Sequence, residues 1–345
     1  MQKSPFLFSP LLRYRIWGGN RIPLWKDCAV DVPVGESWEV CGLAGDSSVI
    51  SNGEYAGRSL ASVIEKYPVE ILGRSVVDRY GCKLPLLAKF IDAKADLSIQ
   101  VHPNDDMALR EHGSLGKTEM WYVVDAVPDA CLYAGFRREI TPEEYKAKVA
   151  DGTITDVLAR HNVKTGDVFY IPAGRVHAVC SGVLIAEIQQ SSDITYRIFD
   201  YNRKDKDGKE RELHTELAAQ ALDYQVEKEY RTEYSQNTQK ANHCVDSPFF
   251  SVRVVEAETP FHRNLLKYDS FVISMCVKGS CEIKTRQGGE SVVLKEGFSC
   301  LIPASVADYD IVPIDGTVRL LDAYIDNMDR SLWGMASRFL HLSYK

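Results

Sequence analysis

The sequence predicts a mainly β protein with two barrel-like halves and short helices inserted in the first half. Three observations lead to this expectation. Most apolar segments are short and rich in β-branched and aromatic residues, only three segments have a helical pattern, and part of the first half recurs in the second. The chain has 345 residues, which is long for one ordinary core and fits two domains.

Eight segments in the first 201 residues have the composition of strands and are bounded by Gly, Pro, Asn or Asp. That number of strands at this spacing is typical of a sandwich or a barrel. The segments are GESWEV (35–40), LLAKFID (86–92), LSIQVHP (97–103), EMWYVVD (119–125), ACLYAGF (130–136), DVFYIPA (167–173), GVLIAEIQQ (182–190) and TYRIFDY (195–201).

Three helical segments interrupt these strands. The first, at about 59–80, has apolar residues at helical spacing and is cut by a proline. The second, at about 141–160, begins with Thr141 as N-cap and Glu144 three residues later, which is a capping box. The third, at about 213–224, is rich in alanine, the residue with the highest helix propensity.

A weak internal repeat links the two halves. Residues 163–177 are VKTGDVFYIPAGRVH and residues 294–308 are LKEGFSCLIPASVAD, with Lys, Gly and Ile-Pro-Ala in register. A glycine turn followed by an apolar strand and Ile-Pro-Ala resembles a motif of the cupin superfamily, whose members are double-sheet jelly rolls. The resemblance implies two cupin-like jelly-roll barrels. We expect a catalytic domain at 1–240 and a degenerate C-terminal domain at 246–345, joined by the polar tract 231–244.

Charge and cysteine content exclude several classes of function. The 41 basic and 48 acidic side chains give a net charge of −7 without a basic stripe, so we expect no nucleic-acid partner. Nine cysteines are scattered without a C-x-x-C pair, which disfavours a disulfide scaffold and a thiolate zinc site. There is no apolar run of about 18 residues for a membrane span, and the N-terminus is a poor signal peptide. We therefore expect a cytoplasmic protein.

The segment SIQVHPNDDM (98–107) contains the first candidate functional residues. Alternate side chains of a strand share a face, so Gln100 and His102 point the same way, and Pro103 ends the strand. In the repeat, His177 of the first copy corresponds to Asp308 of the second. We therefore expect the site in the N-terminal barrel and a structural role for the C-terminal one.

Glu119 in GKTEMWYVV and His177 in PAGRVHA complete a candidate metal site. Two imidazoles, a carboxylate and an amide oxygen suit a borderline divalent metal, and zinc is favoured although an amide ligand is less typical for it. Taken singly, each residue has an ordinary alternative as a core histidine, a core amide or an exposed carboxylate. These alternatives weaken because Gln100, His102, Glu119 and His177 occur in cupin-like order.

Four further side chains are candidates for catalysis or substrate binding. Lys117 lies two residues before Glu119, so both can face one cavity, but Lys117 also fits a solvated turn. Arg197 stands between apolar neighbours and must be paired or line a polar cavity. Glu187, an acid in an apolar strand, is expected to have a raised pKa or a buried ion pair. Trp17 suits either a sugar-stacking platform or the core.

Six segments in order, from about residue 5 to 203, resemble the type I mannose-6-phosphate isomerases in their short bacterial form. They are RIWGG, GESWEV, PLLAKFIDAKADLSIQVHPND, GKTEMWYVV, GDVFYIPAGRVHA and QQSSDITYRIFDYNR. The resemblance implies one zinc ion held by Gln100, His102, Glu119 and His177, an active-site lysine at Lys117 and a catalytic arginine at Arg197. The stretch between Glu119 and His177 is shorter than in long family members.

The resemblance implies interconversion of mannose 6-phosphate and fructose 6-phosphate through an enediol(ate). Zinc and a fixed guanidinium would stabilise its negative charge. We assign charge stabilisation or substrate anchoring to Arg197 and substrate contact or ring opening to Lys117, and either residue could instead hold the phosphate. Trp17 and Glu187 are expected at the substrate. The general base stays open among Lys117, Glu187, a water on the metal and an unligated His102.

Two other functions fit the same residues. A sugar-phosphate-binding or regulatory cupin without turnover would keep the cavity and the metal. A metal-dependent oxygenase would use a ferrous facial triad, which a fourth ligand and the basic residues disfavour. The sequence leaves open whether the protein is a monomer or a homodimer.

Overall fold

A computed structural model describes residues 3–204 and 207–326. Its helices are α1 (Arg21–Trp25), α2 (Leu60–Lys66), α3 (Pro68–Leu72), α4 (Arg74–Tyr80), α5 (Asp105–His112), α6 (Pro142–Ala150) and α7 (Thr215–Ala221). Single 3-10 turns lie at Gly53–Tyr55, Ile154–Val157, Leu266–Tyr268 and Ala304–Val306.

The strands from the N-terminus to residue 199 are β1 (Phe6–Leu7), β2 (Leu11–Gly19), β3 (Val34–Val40), β4 (Leu86–Asp92), β5 (Ile99–Val101), β6 (Glu119–Ala126), β7 (Cys131–Phe136), β8 (Leu158–Asn162), β9 (Val168–Ile171), β10 (His177–Val179), β11 (Val183–Gln190) and β12 (Tyr196–Phe199). The later strands are β13 (Lys240–Asp246), β14 (Ser251–Ala257), β15 (Phe261–Asn264), β16 (Val272–Lys278), β17 (Ser280–Thr285), β18 (Val292–Lys295), β19 (Ser299–Ile302), β20 (Asp308–Pro313) and β21 (Val318–Tyr324).

The chain forms two compact units that are not continuous in sequence. The site unit comprises residues 10–43 and 85–233, and the second unit comprises 3–9, 44–84 and 234–326 among the described residues. This division differs from the linear boundary at 240–246, because α2, α3 and α4 belong with the C-terminal strands. Their attachment explains the difference: the Ser75 amide donates to Asp269 Oδ2 (2.7 Å) and the Phe271 amide donates to the Leu72 carbonyl (3.2 Å).

The site unit contains two antiparallel sheets that share one core. Their strand orders are β2-β3-β4-β11-β6-β9 and β12-β5-β10-β7-β8. Ile91 and Trp121 of the first sheet and Leu132 and Val179 of the second lie in the same buried cluster, so the two sheets pack face to face. The sheets are a sandwich rather than one closed barrel. All eight predicted strand segments form strands.

The second unit repeats this arrangement. Its sheets have the orders β1-β19-β16-β21-β14-β13 and β15-β20-β17-β18. The repeat found in the sequence holds in the structure, since β9 and β19 are equivalent and β10 and β20 begin at His177 and Asp308. The prediction of a mainly β, cupin-like fold is therefore confirmed.

The helices and the linker mostly follow the prediction, with three differences. The three predicted helical segments contain α2 to α4, α6 and α7, but the second segment was predicted too long, because β8 begins at Leu158. Helix α5 was not anticipated, although Asn104 caps it by accepting from the Met107 amide (2.9 Å) and Gly113 ends it in the left-handed conformation. The predicted linker 231–244 was partly wrong, because β13 begins at Lys240. None of the helices in the described residues has the length and apolar character needed to cross a membrane.

Candidate metal centre and adjoining pocket

Neighbouring strands bring the predicted metal ligands to one point in the site unit. Gln100 lies on β5 directly opposite His177, the first residue of β10, while Glu119 is the first residue of β6. His102 follows the end of β5. Ligand atoms of His102, Glu119 and His177 lie within 4.8 Å of one another, and all three residues are buried.

Backbone carbonyls fix how the two imidazoles face the cluster. Nδ1 of His102 donates to the Ile194 carbonyl, and Nδ1 of His177 donates to the Arg175 carbonyl, each at 2.8 Å. In the neutral ring each Nε2 is therefore unprotonated and carries a lone pair. Each Nε2 lies 3.4 Å from one oxygen of Glu119. Such second contacts are typical of histidines that bind metals.

Electrostatics keep these groups in the form that binds a cation. Burial lowers the pKa of His102 to about 3, and burial also lowers the pKa of His177. Burial opposes ionisation of Glu119, yet the nearby Lys117 ammonium holds its pKa well below the usual range. Two neutral imidazoles thus direct lone pairs at a carboxylate, an arrangement that a divalent cation would stabilise.

The buried polar atoms at the centre of the cluster lack hydrogen bonds within the described part of the chain. These atoms are His102 Nε2 and both carboxylate oxygens of Glu119. Buried polar atoms are rarely left without a partner, and lone pairs that converge without donors suit a bound cation. The Gln100 amide lies 3.3 Å from His177 Nε2, and Lys117 Nζ lies 3.3 Å from Glu119 Oε2. The donor set therefore fits one divalent metal.

A pocket of about 440 Å³ adjoins the cluster. Of the residues predicted from the sequence, Gln100, Lys117, Glu187, Arg197 and Trp17 line it. Seven further charged or titratable residues were missed by the sequence analysis and also line it: Tyr14, Arg15, Glu36, Lys89, Asp193, Arg211 and His214.

Glu187 is part of a buried ion pair on the pocket wall. Lys89 Nζ lies 3.1 Å from Glu187 Oε1, and Trp121 Nε1 donates to Oε2 (2.8 Å). Burial and the negative charge of Glu119 raise the pKa of Glu187 despite Lys89. Both expectations from the sequence, a raised pKa and a buried ion pair, therefore hold for Glu187.

Glu36 and Lys89 extend this charge network. Burial raises the pKa of Glu36, but Lys89 and Arg15 outweigh burial and lower it to about 2. Burial lowers the pKa of Lys89, but the carboxylates of Glu187 and Glu36 outweigh burial and raise it. Glu187 is thus the carboxyl group of this network that most readily accepts a proton.

Trp17 and Arg197 both line the pocket, but Trp17 packs in the apolar core and Arg197 lies among polar groups. Trp17 is 4% exposed and belongs to the core cluster between the sheets, while one part of it lines the pocket. Arg197 lies on β12 opposite Gln100, and its Nη1 donates to the Glu212 carbonyl (2.9 Å). Its Nε is buried without a hydrogen-bond partner among the described residues, which fits an arginine that lines a polar cavity.

The second unit lacks the donor set at the equivalent strand positions. Among the residues that the structure describes, His102, Glu119 and His177 are the one group of three acidic, His or Cys side chains placed to hold a metal. Equivalent residues can be identified because they pair with equivalent partners across the sheets. By this criterion the second unit has Asp308 in place of His177, Asn264 in place of Gln100 and Val272 in place of Glu119.

Comparisons with family models and with known proteins all point to the same protein family. Residues 7–122 match the family model described as phosphomannose isomerase type I, catalytic domain, and residues 240–325 match that of the mannose-6-phosphate isomerase cupin domain. Mannose-6-phosphate isomerase ManA of Bacillus subtilis is 40% identical over 227 residues, which cover 65% of this chain and 69% of ManA. The Streptococcus mutans mannose-6-phosphate isomerase is 39% identical over 222 residues, covering 64% and 68% of the two chains.

A solved structure supports the same relationship over nearly the whole chain. The crystal structure of the mannose 6-phosphate isomerase from Bacillus subtilis aligns with a TM-score of 0.83 at 31% identity, covering 93% of this chain and 99% of that one. The sequence match, the fold and the cluster agree with one another. The chain belongs to the type I mannose-6-phosphate isomerase family of enzymes.

Proposed function

We propose that this enzyme interconverts mannose 6-phosphate and fructose 6-phosphate with one zinc ion per chain. The observation that carries the proposal is the convergence of His102, Glu119 and His177, with Gln100, beside a pocket that holds Lys117, Glu187 and Arg197. Family membership supplies the substrate pair. The chemistry of the pocket supplies the roles of the residues.

Gln100, His102, Glu119 and His177 would hold the metal. As a Lewis acid, a bound divalent ion stabilises negative charge that develops on the sugar oxygens. His102 is then unsuited to proton transfer, because its Nδ1 proton is held by the Ile194 carbonyl and its Nε2 faces the cluster.

Glu187 is the proton carrier in this proposal. Isomerisation moves a proton from C2 of the aldose to C1 through an enediol(ate), while a hydroxyl proton moves between the two oxygens. A buried carboxyl group with a raised pKa suits this exchange because it must both accept and return the proton. Lys117 and Arg197, the basic side chains at this part of the pocket wall, would hold the sugar oxygens as charge develops. Trp17 would form an apolar wall for the sugar.

The test is a coupled assay for fructose 6-phosphate formed from mannose 6-phosphate by the purified protein. We expect turnover that disappears after chelation and returns with zinc. We also expect Arg197→Ala to keep its metal while losing about 10²–10³ in rate, the usual cost of one removed charge-stabilising donor. Absence of turnover with every divalent metal, while sugar phosphate still binds, would favour a regulatory cupin. Oxygen uptake would favour an oxygenase.

We also place the enzyme in the cytoplasm, since all nine cysteines are free and this is typical of a reducing compartment. Three expectations from the sequence stay predictions. They are the oligomeric state (monomer or homodimer), the jelly-roll connectivity and the limits of the two domains.

A further inference from the structure

One wall of the pocket carries more positive charge than the neighbouring carboxylates neutralise. Asp200 is buried, and Nη2 of both Arg203 and Arg211 lies 2.5 Å from its Oδ1. Arg211 Nε also donates to Asp200 Oδ2 (2.7 Å). Arg197 adds a third guanidinium nearby, so three positive charges stand against two negative ones, those of Asp200 and the exposed Glu212. Such a local excess attracts an anion into a cleft.

Only two of these three arginines line the pocket. Arg197 and Arg211 do so, whereas Nη1 of Arg203 donates to the carbonyl of Asp96 (2.5 Å). Arg211 is held rigidly, because its Nε and Nη2 grip the carboxylate of Asp200 as a fork. Its Nη1 makes no hydrogen bond to any residue that the structure describes, so it is available to a ligand.

The order of residues along the pocket separates Arg211 from the metal cluster. Arg197 lies opposite Gln100, whose amide contacts His177. Arg197 also forms two hydrogen bonds with His214. The His214 amide donates to the Arg197 carbonyl (2.7 Å), and the Arg197 amide donates to the imidazole Nδ1 of His214 (3.2 Å). Arg211 lies three residues before His214 on the same loop. The pocket therefore has a metal end and an arginine end.

We infer that Arg211 binds the phosphate group of the substrate, with His214 beside it and Asp200 as the positioning residue that orients the guanidinium. This inference rests on the proposed function, because the phosphosugar is the substrate it assumes. Guanidinium groups bind phosphate oxygens through charge-assisted, often bidentate hydrogen bonds. A sugar whose C1 and C2 lie at the metal end would direct its phosphate on C6 toward Arg211, and Arg197 would lie between the two.

Arg203→Gln is a matched control for Arg211→Gln, because both arginines bind the same oxygen of Asp200. We expect Arg211→Gln to raise the KM for mannose 6-phosphate by about 10–100-fold, the effect of losing hydrogen bonds to a charged group. Its kcat should stay within about threefold, since Arg211 binds substrate and transition state alike. The inhibition constant of inorganic phosphate should rise with KM. Arg203→Gln should change each quantity by less than about threefold, because Arg203 is not among the residues that line the pocket.

Two results would overturn the inference: an unchanged KM in Arg211→Gln, or equal losses in both variants, which would mean that Arg211 acts through Asp200 alone. Calorimetric titration of the whole protein with inorganic phosphate separates this inference from the proposed function. Phosphate binding lost in Arg211→Gln and kept in Arg203→Gln would support the anion site even if mannose 6-phosphate were not turned over. Equal phosphate binding in the two variants would overturn it even in an active isomerase.

Discussion

Lys89 and Glu187 face each other across β4 and β11, with Nζ 3.1 Å from Oε1 and both side chains at most 4% exposed. Both residues also line the pocket. Burying such an ion pair costs the desolvation of both charges, which their attraction offsets. Replacing only one partner leaves the other as a buried charge without compensation.

Lys89→Met should destabilise the protein strongly, because it leaves Glu187 and Glu36 as buried carboxylates without their shared cation. We expect a loss of about 3–5 kcal/mol in the free energy of unfolding, measured by urea denaturation. Lys146→Met is the control, since its partner Glu216 is 72% exposed and the pair should contribute less than about 1 kcal/mol. Similar losses in the two variants would contradict a buried pair at Lys89.

His177→Gln should remove the metal. The wild type should carry about one divalent ion per chain by elemental analysis after gel filtration, as three or four protein ligands predict. We expect the variant to carry almost none. His243→Gln is a suitable control, because His243 is 77% exposed on β13 of the second unit. Full metal content in His177→Gln would rule out the proposed ligand set.

Glu187→Gln should slow turnover by about 10²–10⁴, the usual contribution of a positioned proton carrier. The pH profile adds a sharper test. Glu187 acts as a base only when ionised, and its pKa is raised, so the wild-type kcat/KM should fall as the pH drops through that pKa. The residual activity of the variant should lack this acidic limb. Retention of the limb would assign it to another group.

Glu36 should make stability depend on pH. Its pKa is about 2 in the folded protein against 4.5 as the ordinary value, so it binds fewer protons when folded. The stabilisation of about 3 kcal/mol is complete above the ordinary pKa and is lost as the pH falls toward the folded pKa. The difference in unfolding free energy between wild type and Glu36→Gln should therefore shrink from pH 6 to pH 3. A constant difference would show that Glu36 is not ion-paired.

The strands and the convergence of His102, Glu119 and His177 could be predicted from the sequence, for a local reason. The alternation around Gln100 and His102 and the Ile-Pro-Ala turn before His177 are short patterns that fix which side chains face inward. Helix α5 could also have been found, because Asn104 is an N-cap and two acids follow it in the first turn.

The rest of the site depends on register between distant strands. Lys89 stands in the apolar segment LLAKFID, which carries the same signal that singled out Glu187, but no local pattern shows that β4 and β11 place the two side by side. Arg211 comes from a charged loop that has the composition of solvent-exposed chain. Only the tertiary structure shows that the guanidinium of Arg211 binds Asp200 and lines the pocket.

The interleaved units constrain the order of events on the ribosome. The site unit can be completed once residue 233 has been synthesised, whereas helices α2 to α4 belong with strands that emerge later. The partners of Leu72 and Ser75 lie near residue 270, so at about 5–20 residues per second these helices wait roughly 10–40 s for them. During that interval Ile71, Leu72 and Val76, fully buried in the finished protein, are apolar surface on a nascent chain. A chaperone acting on this protein during translation should therefore engage the 60–80 segment.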